Sequence, residues 1–380
     1  MQKTFRDHHL LLILESYNPE KSAADNCLRD YFRDNRALGS KDRKFISEKI
    51  YQLIRFRDLI DALTGDSSWE ARLNCINNDS DELAKKIKKL PIHTQLSMPE
   101  TFFNRLVAHY GIEKATEICT LSNEQAPTTI RVNTIKTSRE HLMRLWEAHI
   151  AVEATKTAPH GIQIGTRSPL LHCDEYKLGY FEMQDEGSQL LAELVDIKEG
   201  MHLLDFCAGS GGKTLAIAPQ MRGKGQIYLH DIRKSALENA KKRLARAGVQ
   251  NAQLIFPDEK SKLSRLKGKM DRVLLDVPCS GSGTFRRNPD MKWRFSDEKL
   301  AELIAIQREI FKSTLAYLKP GGSIIYTTCS LLAEENQEQI EFFIKTYGLE
   351  RAAPDFQTTP TQSGPDGFFG SVLREKLSFA

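Results

Sequence analysis

The chain of 380 residues has no apolar run near the roughly 18 residues that cross a bilayer. Its opening MQKTFRDHHLLLILESYNPE meets a glutamate before any signal-peptide cleavage pattern. A membrane span and a secretory leader are therefore not expected, and the expected compartment is the cytoplasm. Cysteine is sparse: seven residues, Cys27, Cys75, Cys119, Cys173, Cys207, Cys279 and Cys329, widely spaced and without any C-x-x-C. That odd, scattered set signals neither a disulfide framework nor a zinc cluster, so no metal is expected, and it leaves structural or catalytic thiols. Low-complexity tracts and internal repeats are also missing.

An excess of either charge is nearly absent, with 54 Lys and Arg against 50 Asp and Glu. The average hides a segregation. Residues 201–300 hold 20 basic and 10 acidic side chains, whereas 151–200 hold 4 and 9, and 301–380 hold 7 and 10. A basic stretch inside a near-neutral chain is what a polyanion-binding surface requires, and also what acidic and basic segments pairing across a solvated surface produce.

Periodicity divides the chain. Residues 1–90 predict helices, because Phe45, Ile46, Ile50, Leu53, Ile54 and Ile60 recur three and four apart. The charged DSDELAKKIKKLPIH marks a boundary, two short helical patterns follow near 99–109 and 113–122, and TTIRVNTIKTSREHLMRLWEAHI reads as strand, turn and helix. The segment 97–180 is thus expected to be a small α+β module. From 181 to 380, short apolar runs (MHLLDF, GQIYLHD, AQLIFPD, DRVLLDVP, GGSIIYTTCS) alternate with amphipathic helices, the pattern of a mainly parallel sheet covered on both faces. Such α/β sheets bind ligands beyond the carboxyl ends of their strands.

The residues at those ends carry chemistry. The first run closes on Asp205 and the glycine-rich loop Cys207, Ala208, Gly209, Ser210, Gly211, Gly212, Lys213, which suits close approach of backbone N–H groups to a ligand. A Walker A loop fails because Cys207 stands where its first glycine belongs, and a dinucleotide fingerprint fails at Thr214. An ATPase remains the competing class, since Asp276 in VLLD imitates the acidic strand that follows a phosphate loop. Asp231 ends the second run, placed for a ribose diol, Asp258 the third, placed either for an adenine edge or in a solvated turn, and Asp276 the fourth. Cys279 and Cys329 lie just past the fourth and fifth runs; on adjacent strands their thiols would face one pocket. Arg286, Arg287, Lys292, Trp293 and Arg294 mix cations with an aromatic, as phosphate contact and base stacking require, and as a solvated basic loop with a core tryptophan also would. The KKRLAR cluster at 241–246 is expected on a solvated helix face.

From about Pro99 onward the motifs RVNTIK, FEMQDEGSQL, DFCAGSGGKT, DVPCSGSGTFRRNPDMKW, TTCS with EENQEQIEFF, and PDGFFGSVLREK resemble the RNA cytosine-C5 methyltransferases of the Sun/Nol1/Nop2 class, with RsmB-like, NusB-domain-containing members. The loop departs from the family's CAAPGGKT, and Ala236 stands where several relatives carry a basic residue, with Arg233 the expected substitute. The resemblance implies a Rossmann-like S-adenosylmethionine-dependent methyltransferase fold, preceded by an RRM-like α+β module and an N-terminal, NusB-like helical RNA-binding domain. It implies S-adenosylmethionine as cofactor, held by Asp205, the 207–213 loop, Asp231, Asp258 and Asp276, with Lys213 on the methionine carboxylate. Cys329 becomes the nucleophile toward carbon 6, Cys279 the group assisting product release, and Asp276 the contact to the cytosine amino and N3 region. The expected partner of this monomer is 16S ribosomal RNA, with transfer RNA, or a non-catalytic role in ribosome assembly, as alternatives.

Overall fold

A computed structural model describes residues 4–19, 21–77, 81–165 and 170–376. The chain forms two compact units, residues 1–125 with 284–300, and residues 126–283 with 301–380. The segment after the PCS motif therefore belongs to the helical unit, although the 97–180 and 181–380 divisions expected from the sequence place it with the catalytic sheet. No helix among the described residues is long and apolar enough to cross a membrane.

In the helical unit, Phe5–Ser16, Ala24–Asp34, Ser40–Arg55, Arg57–Thr64 and Trp69–Ile76 surround one core. Ile46, Ile50, Leu53, Ile54 and Ile60 are all buried there with Leu10, Leu14 and Leu28, as their spacing predicts. Helices Glu100–Tyr110 and Ile112–Leu121 follow.

The second unit contains two sheets. Strands β1 (Thr128–Val132), β2 (Val152–Ala154), β3 (Gly161–Ile164) and β4 (Phe181–Met183) form an antiparallel sheet ordered β2-β3-β1-β4. One face packs Ile130, Val132, Ile162, Ile164 and Phe181 against Leu142 and Trp146 of helix Arg139–Trp146. The alternate residues Arg131 and Glu182 are paired across β1 and β4, and both are buried.

The larger sheet has eight strands. Five carry the apolar runs: β5 (His202–Asp205), β6 (Gln226–His230), β7 (Ala252–Ile255), β8 (Met270–Asp276) and β9 (Leu318–Thr328). All pair in parallel, in the order β7-β6-β5-β8-β9. β10 (Leu349–Arg351), β11 (Phe356–Thr358) and β12 (Phe368–Glu375) add an antiparallel margin, with β12 against β9. Two cores lie on its faces: Leu203, Ile227, Leu229 and Leu274 contribute to one, Leu204, Val273, Leu275 and Tyr326 to the other. Burial on both faces explains why these strands read as continuous apolar runs rather than alternating ones. The strand order reverses at β5, between β6 and β8, and at such a switch point the loops part and leave a crevice.

Candidate active site

The crevice is a cavity of about 220 Å³ lined by Ser188, Asp205, Cys207, Ala208, Gly209, Ser210, Gly212, Lys213, Arg233 and Asp276. Its floor is the turn from β5 into helix Gly212–Ile217. Gly211, at φ +76°, takes the left-handed conformation that starts this helix, which a side chain would strain. Thr214 Oγ1 donates to Asp205 Oδ2 at 2.6 Å. The other oxygen, Oδ1, is buried and has no hydrogen-bond partner among the described residues. Burial pushes the Asp205 carboxyl up to about 7, against the pull of Thr214.

Asp231, just past β6, accepts from Gly209 N at 2.8 Å and from Arg233 N, Nε and Nη2 at 2.8, 3.0 and 3.1 Å. Burial opposes its ionisation, but the hydrogen bonds from Arg233 and Gly209 prevail and hold the carboxyl below its ordinary range. Arg233 thus lines the cavity, with its guanidinium on Asp231 itself. Asp258 is exposed in the turn after β7 and is not among the residues lining this cavity. Lys213 does not stand free for a carboxylate of a ligand, as its place at a helix start suggested. Its buried Nζ lies 2.6 Å from Asp276 Oδ2, and Thr327 Oγ1 donates to Asp276 Oδ1 at 3.1 Å.

Because Asp276 pairs with Thr327 across β8 and β9, the residues that follow them come together. The Sγ atoms of Cys279 and Cys329 are 3.4 Å apart. The hydrogen bond to Cys329, burial, and the charge of Glu335 all push the Cys279 thiol above its ordinary range. Gly283 closes the loop by donating N–H to Cys329 O and accepting from Gly367 N, each at 2.9 Å. A Cβ on Gly283 would stand 2.0 Å from Gly367 O, so PCSGSG and PDGFFG can approach this closely only as glycines.

Arg286, Lys292 and Trp293 are placed elsewhere than an RNA-facing loop. Arg286 and Lys292 are buried in the helical unit, at 2% and 0% exposure. The reason lies at helix ends, whose last carbonyls and first N–H groups need partners. Helix Ser40–Arg55 ends where Trp293 Nε1 donates to Ile54 O at 2.7 Å and Lys292 Nζ to Arg55 O at 3.3 Å. Lys292 also reaches Ser97 O at 3.4 Å and Asn123 Oδ1. Helix Ala24–Asp34 has no side-chain cap of its own; Asp290 Oδ2 accepts from Ala24 N at 3.3 Å. Arg57 stacks 4.0 Å from the Trp293 ring centre. The cationic, aromatic segment is therefore a pair of helix caps. Burial, then the nearby Arg55 charge, lowers the Lys292 ammonium to about 7. Arg287 is half-buried in the same segment.

The KKRLAR helix is not wholly solvated either. Arg243 donates to Glu182 Oε2 at 3.0 Å and to Ser210 O at 2.9 Å, and Arg246 to Glu182 Oε1 at 2.5 Å. Arg131 of the RVN motif donates to Gly212 O at 3.1 Å. Two arginines, tied to β1 and β4 of the small sheet, thus hold carbonyls of the glycine-rich loop. Arg131 is not singled out by the sequence, and Arg243 reads there only as part of a solvated cluster; the signal for both is the RVN and FEMQ motifs to which they are tied.

Comparison with known proteins accords with this site. The family described as "16S rRNA methyltransferase RsmB/F" matches residues 192–374. The family described as "Methyltr_RsmF/B-like, ferredoxin-like domain" matches residues 98–170. The "Probable ribosomal RNA small subunit methyltransferase B" of Synechocystis sp. is 30% identical over 76% of this chain and 69% of its own length. The ribosomal RNA small subunit methyltransferase B of Proteus mirabilis is 34% identical over 67% of this chain, which spans 60% of that relative. A methyltransferase homolog protein from Pyrococcus horikoshii superposes with a TM-score of 0.65 at 26% identity, covering 75% of this chain and 98% of that one. With its sheet order, its glycine-rich crevice and these matches, the chain belongs to the RsmB/F family of 16S rRNA methyltransferases.

Proposed function

We propose that the chain transfers a methyl group from S-adenosylmethionine to carbon 5 of a cytosine in RNA, with 16S ribosomal RNA as substrate and a cysteine adduct at carbon 6 as the intermediate. The observation that carries this reading is the 3.4 Å approach of Cys279 and Cys329, which follow the paired strand-end residues Asp276 and Thr327, Asp276 itself lining the glycine-rich crevice. The crevice residues fit the cofactor. Asp205 Oδ1 is an orphaned buried acceptor that a ligand's ammonium or N–H would satisfy. Asp231 lies at the strand end that meets a ribose in this class of sheet. Bound there, S-adenosylmethionine supplies an electrophilic methyl on a sulfonium.

Carbon 5 of cytosine is a weak nucleophile until a thiolate adds to carbon 6. Cys329 forms that S–C6 bond, and the electron pair released toward carbon 5 takes the methyl. Water takes the carbon-5 proton, and the pair from that C–H bond re-forms the C5–C6 double bond as the S–C6 bond breaks and Cys329 leaves as thiolate. Cys279, kept neutral by its surroundings, holds a proton next to the departing sulfur and assists release. Asp276, half-exposed and anchored by Lys213 and Thr327, accepts from the 4-amino group. The target base must leave its stack to reach two recessed thiols, so the substrate is a loop or an opened helix.

The test incubates the protein and labelled S-adenosylmethionine with unmodified small-subunit rRNA and, separately, with transfer RNA. Bisulfite sequencing then locates the product. A protected cytosine in 16S rRNA supports the proposal; label in transfer RNA alone replaces its substrate, and label at a base other than cytosine overturns its chemistry.

A further inference from the structure

We propose that Glu335 is a positioning residue for the two cysteines: one buried carboxylate receives the residue that follows each thiol and so sets the separation of Cys279 and Cys329. This rests on the cysteine chemistry proposed above. Glu335 is fully buried. Its Oε1 accepts from Ser280 N at 2.8 Å and from Gln307 Nε2 at 3.0 Å. Its Oε2 accepts from Ser280 Oγ and Ser330 Oγ, each at 2.5 Å. Ser280 directly follows Cys279 and Ser330 directly follows Cys329. Because one of these bonds goes to a backbone N–H, the carboxylate fixes the path of the chain at Cys279 and not only a side-chain rotamer.

Neighbours hold the backbone around Glu335 and Cys329 in turn. Tyr326 Oη donates to Glu335 O at 2.9 Å. Asn336 donates Nδ2 to Ser330 O at 2.9 Å and accepts from Thr328 Oγ1 at 2.6 Å, so the Cys329 turn is gripped on both sides. A carboxylate taken out of water is strongly disfavoured unless it is fully hydrogen-bonded. The four bonds to Glu335 come from neutral donors, an arrangement that a purely structural core would replace more cheaply by apolar packing. Its charge also raises the Cys279 thiol, which keeps that group a proton holder while Cys329 attacks. The EEN that follows TTCS therefore has a job distinct from starting the next helix.

The test compares wild type with Glu335→Gln, whose amide turns one acceptor into a donor facing the serines or Ser280 N. Two readouts are taken on the full chain. The first is steady-state methylation, where kcat is expected to fall at least 100-fold with KM for S-adenosylmethionine unchanged within twofold. The second needs no methylation: diamide removes the two thiol hydrogens as the disulfide forms, and mass spectrometry follows the cross-linked 279–329 peptide. Its rate is expected to fall at least tenfold. Ser280→Ala and Ser330→Ala, each losing one donor, should fold where Glu335→Gln does not and give about tenfold falls in kcat with slower cross-linking. Unchanged cross-linking in all folded variants would overturn the proposal, whether or not kcat falls. Full methylation by Cys329→Ala would instead overturn the cysteine assignment, leaving the cross-linking result to judge the geometry.

Discussion

At the scale of single residues, the crevice separates groups that hold a ligand from groups that hold the crevice. Asp231 is tied to the glycine-rich loop through Gly209 N, yet Arg233 occupies the rest of its acceptor capacity. If the ribose takes its hydrogen bonds from Asp231, Asp231→Ala should raise the KM for S-adenosylmethionine at least tenfold, about 1.4 kcal/mol. Arg233→Ala should change it by less than threefold, because the guanidinium is largely exposed and competes for the same oxygens. Isothermal titration with the cofactor checks both; equal losses would make Arg233 a true substitute for the base missing at Ala236.

Asp205, Asp231, Asp276 and the two cysteines were legible in the sequence as strand-end residues, because the ends of a doubly covered sheet announce themselves as apolar runs followed by polar residues. Glu335, Arg131 and Arg243 were not. Each works by receiving or reaching a group far away in sequence, and nothing in local composition distinguishes such a residue from a solvated one. Asp258 shows the converse: a strand-end position alone placed it in the site, and the structure leaves it exposed in a turn outside the cavity.

At the scale of elements, the same blindness accounts for the segment 289–294. Its Arg, Lys and Trp read as nucleic-acid chemistry, but helix ends 237 to 266 positions away claim the segment. Trp293→Ala should destabilise the helical unit by about 3 kcal/mol, measured by chemical denaturation. Lys292 adds a pH signature. The folded chain holds it near 7, whereas the unfolded chain holds a lysine near about 10.4. Between those values the unfolded state binds the extra proton, so stability rises with pH, by up to about 1.4 kcal/mol per unit. The melting temperature of wild type relative to Lys292→Met should therefore climb from pH 7 to 10; parallel curves would show that the ammonium is not desolvated. Arg131 and Arg243 extend the theme to the other unit, where the small sheet steadies the cofactor loop.

At the scale of the whole molecule, the basic excess in residues 201–300 needs a new address. Arg286 and Lys292 are buried, and Arg243 and Arg246 are paired with Glu182. Exposed cations remain along the whole segment, and five of them follow one another after β7: Lys260, Lys262, Arg265, Lys267 and Lys269. Replacing Lys260, Arg265, Lys267 and Lys269 by Gln should weaken RNA binding uniformly across sequences. It should also flatten the slope of log affinity against log salt by about 0.7 for each lost phosphate contact, as read from filter binding at several salt concentrations. An unchanged slope would leave the segregation of charge a purely structural matter.

The central claim is that Cys329 attacks the base and Cys279 assists its release. Its most direct measurement is a denaturing gel of protein incubated with S-adenosylmethionine and substrate RNA. Cys279→Ala should accumulate a covalent protein–RNA band, and Cys329→Ala should show neither the band nor methyl transfer. A band with Cys329→Ala and none with Cys279→Ala would contradict the account by exchanging the two roles.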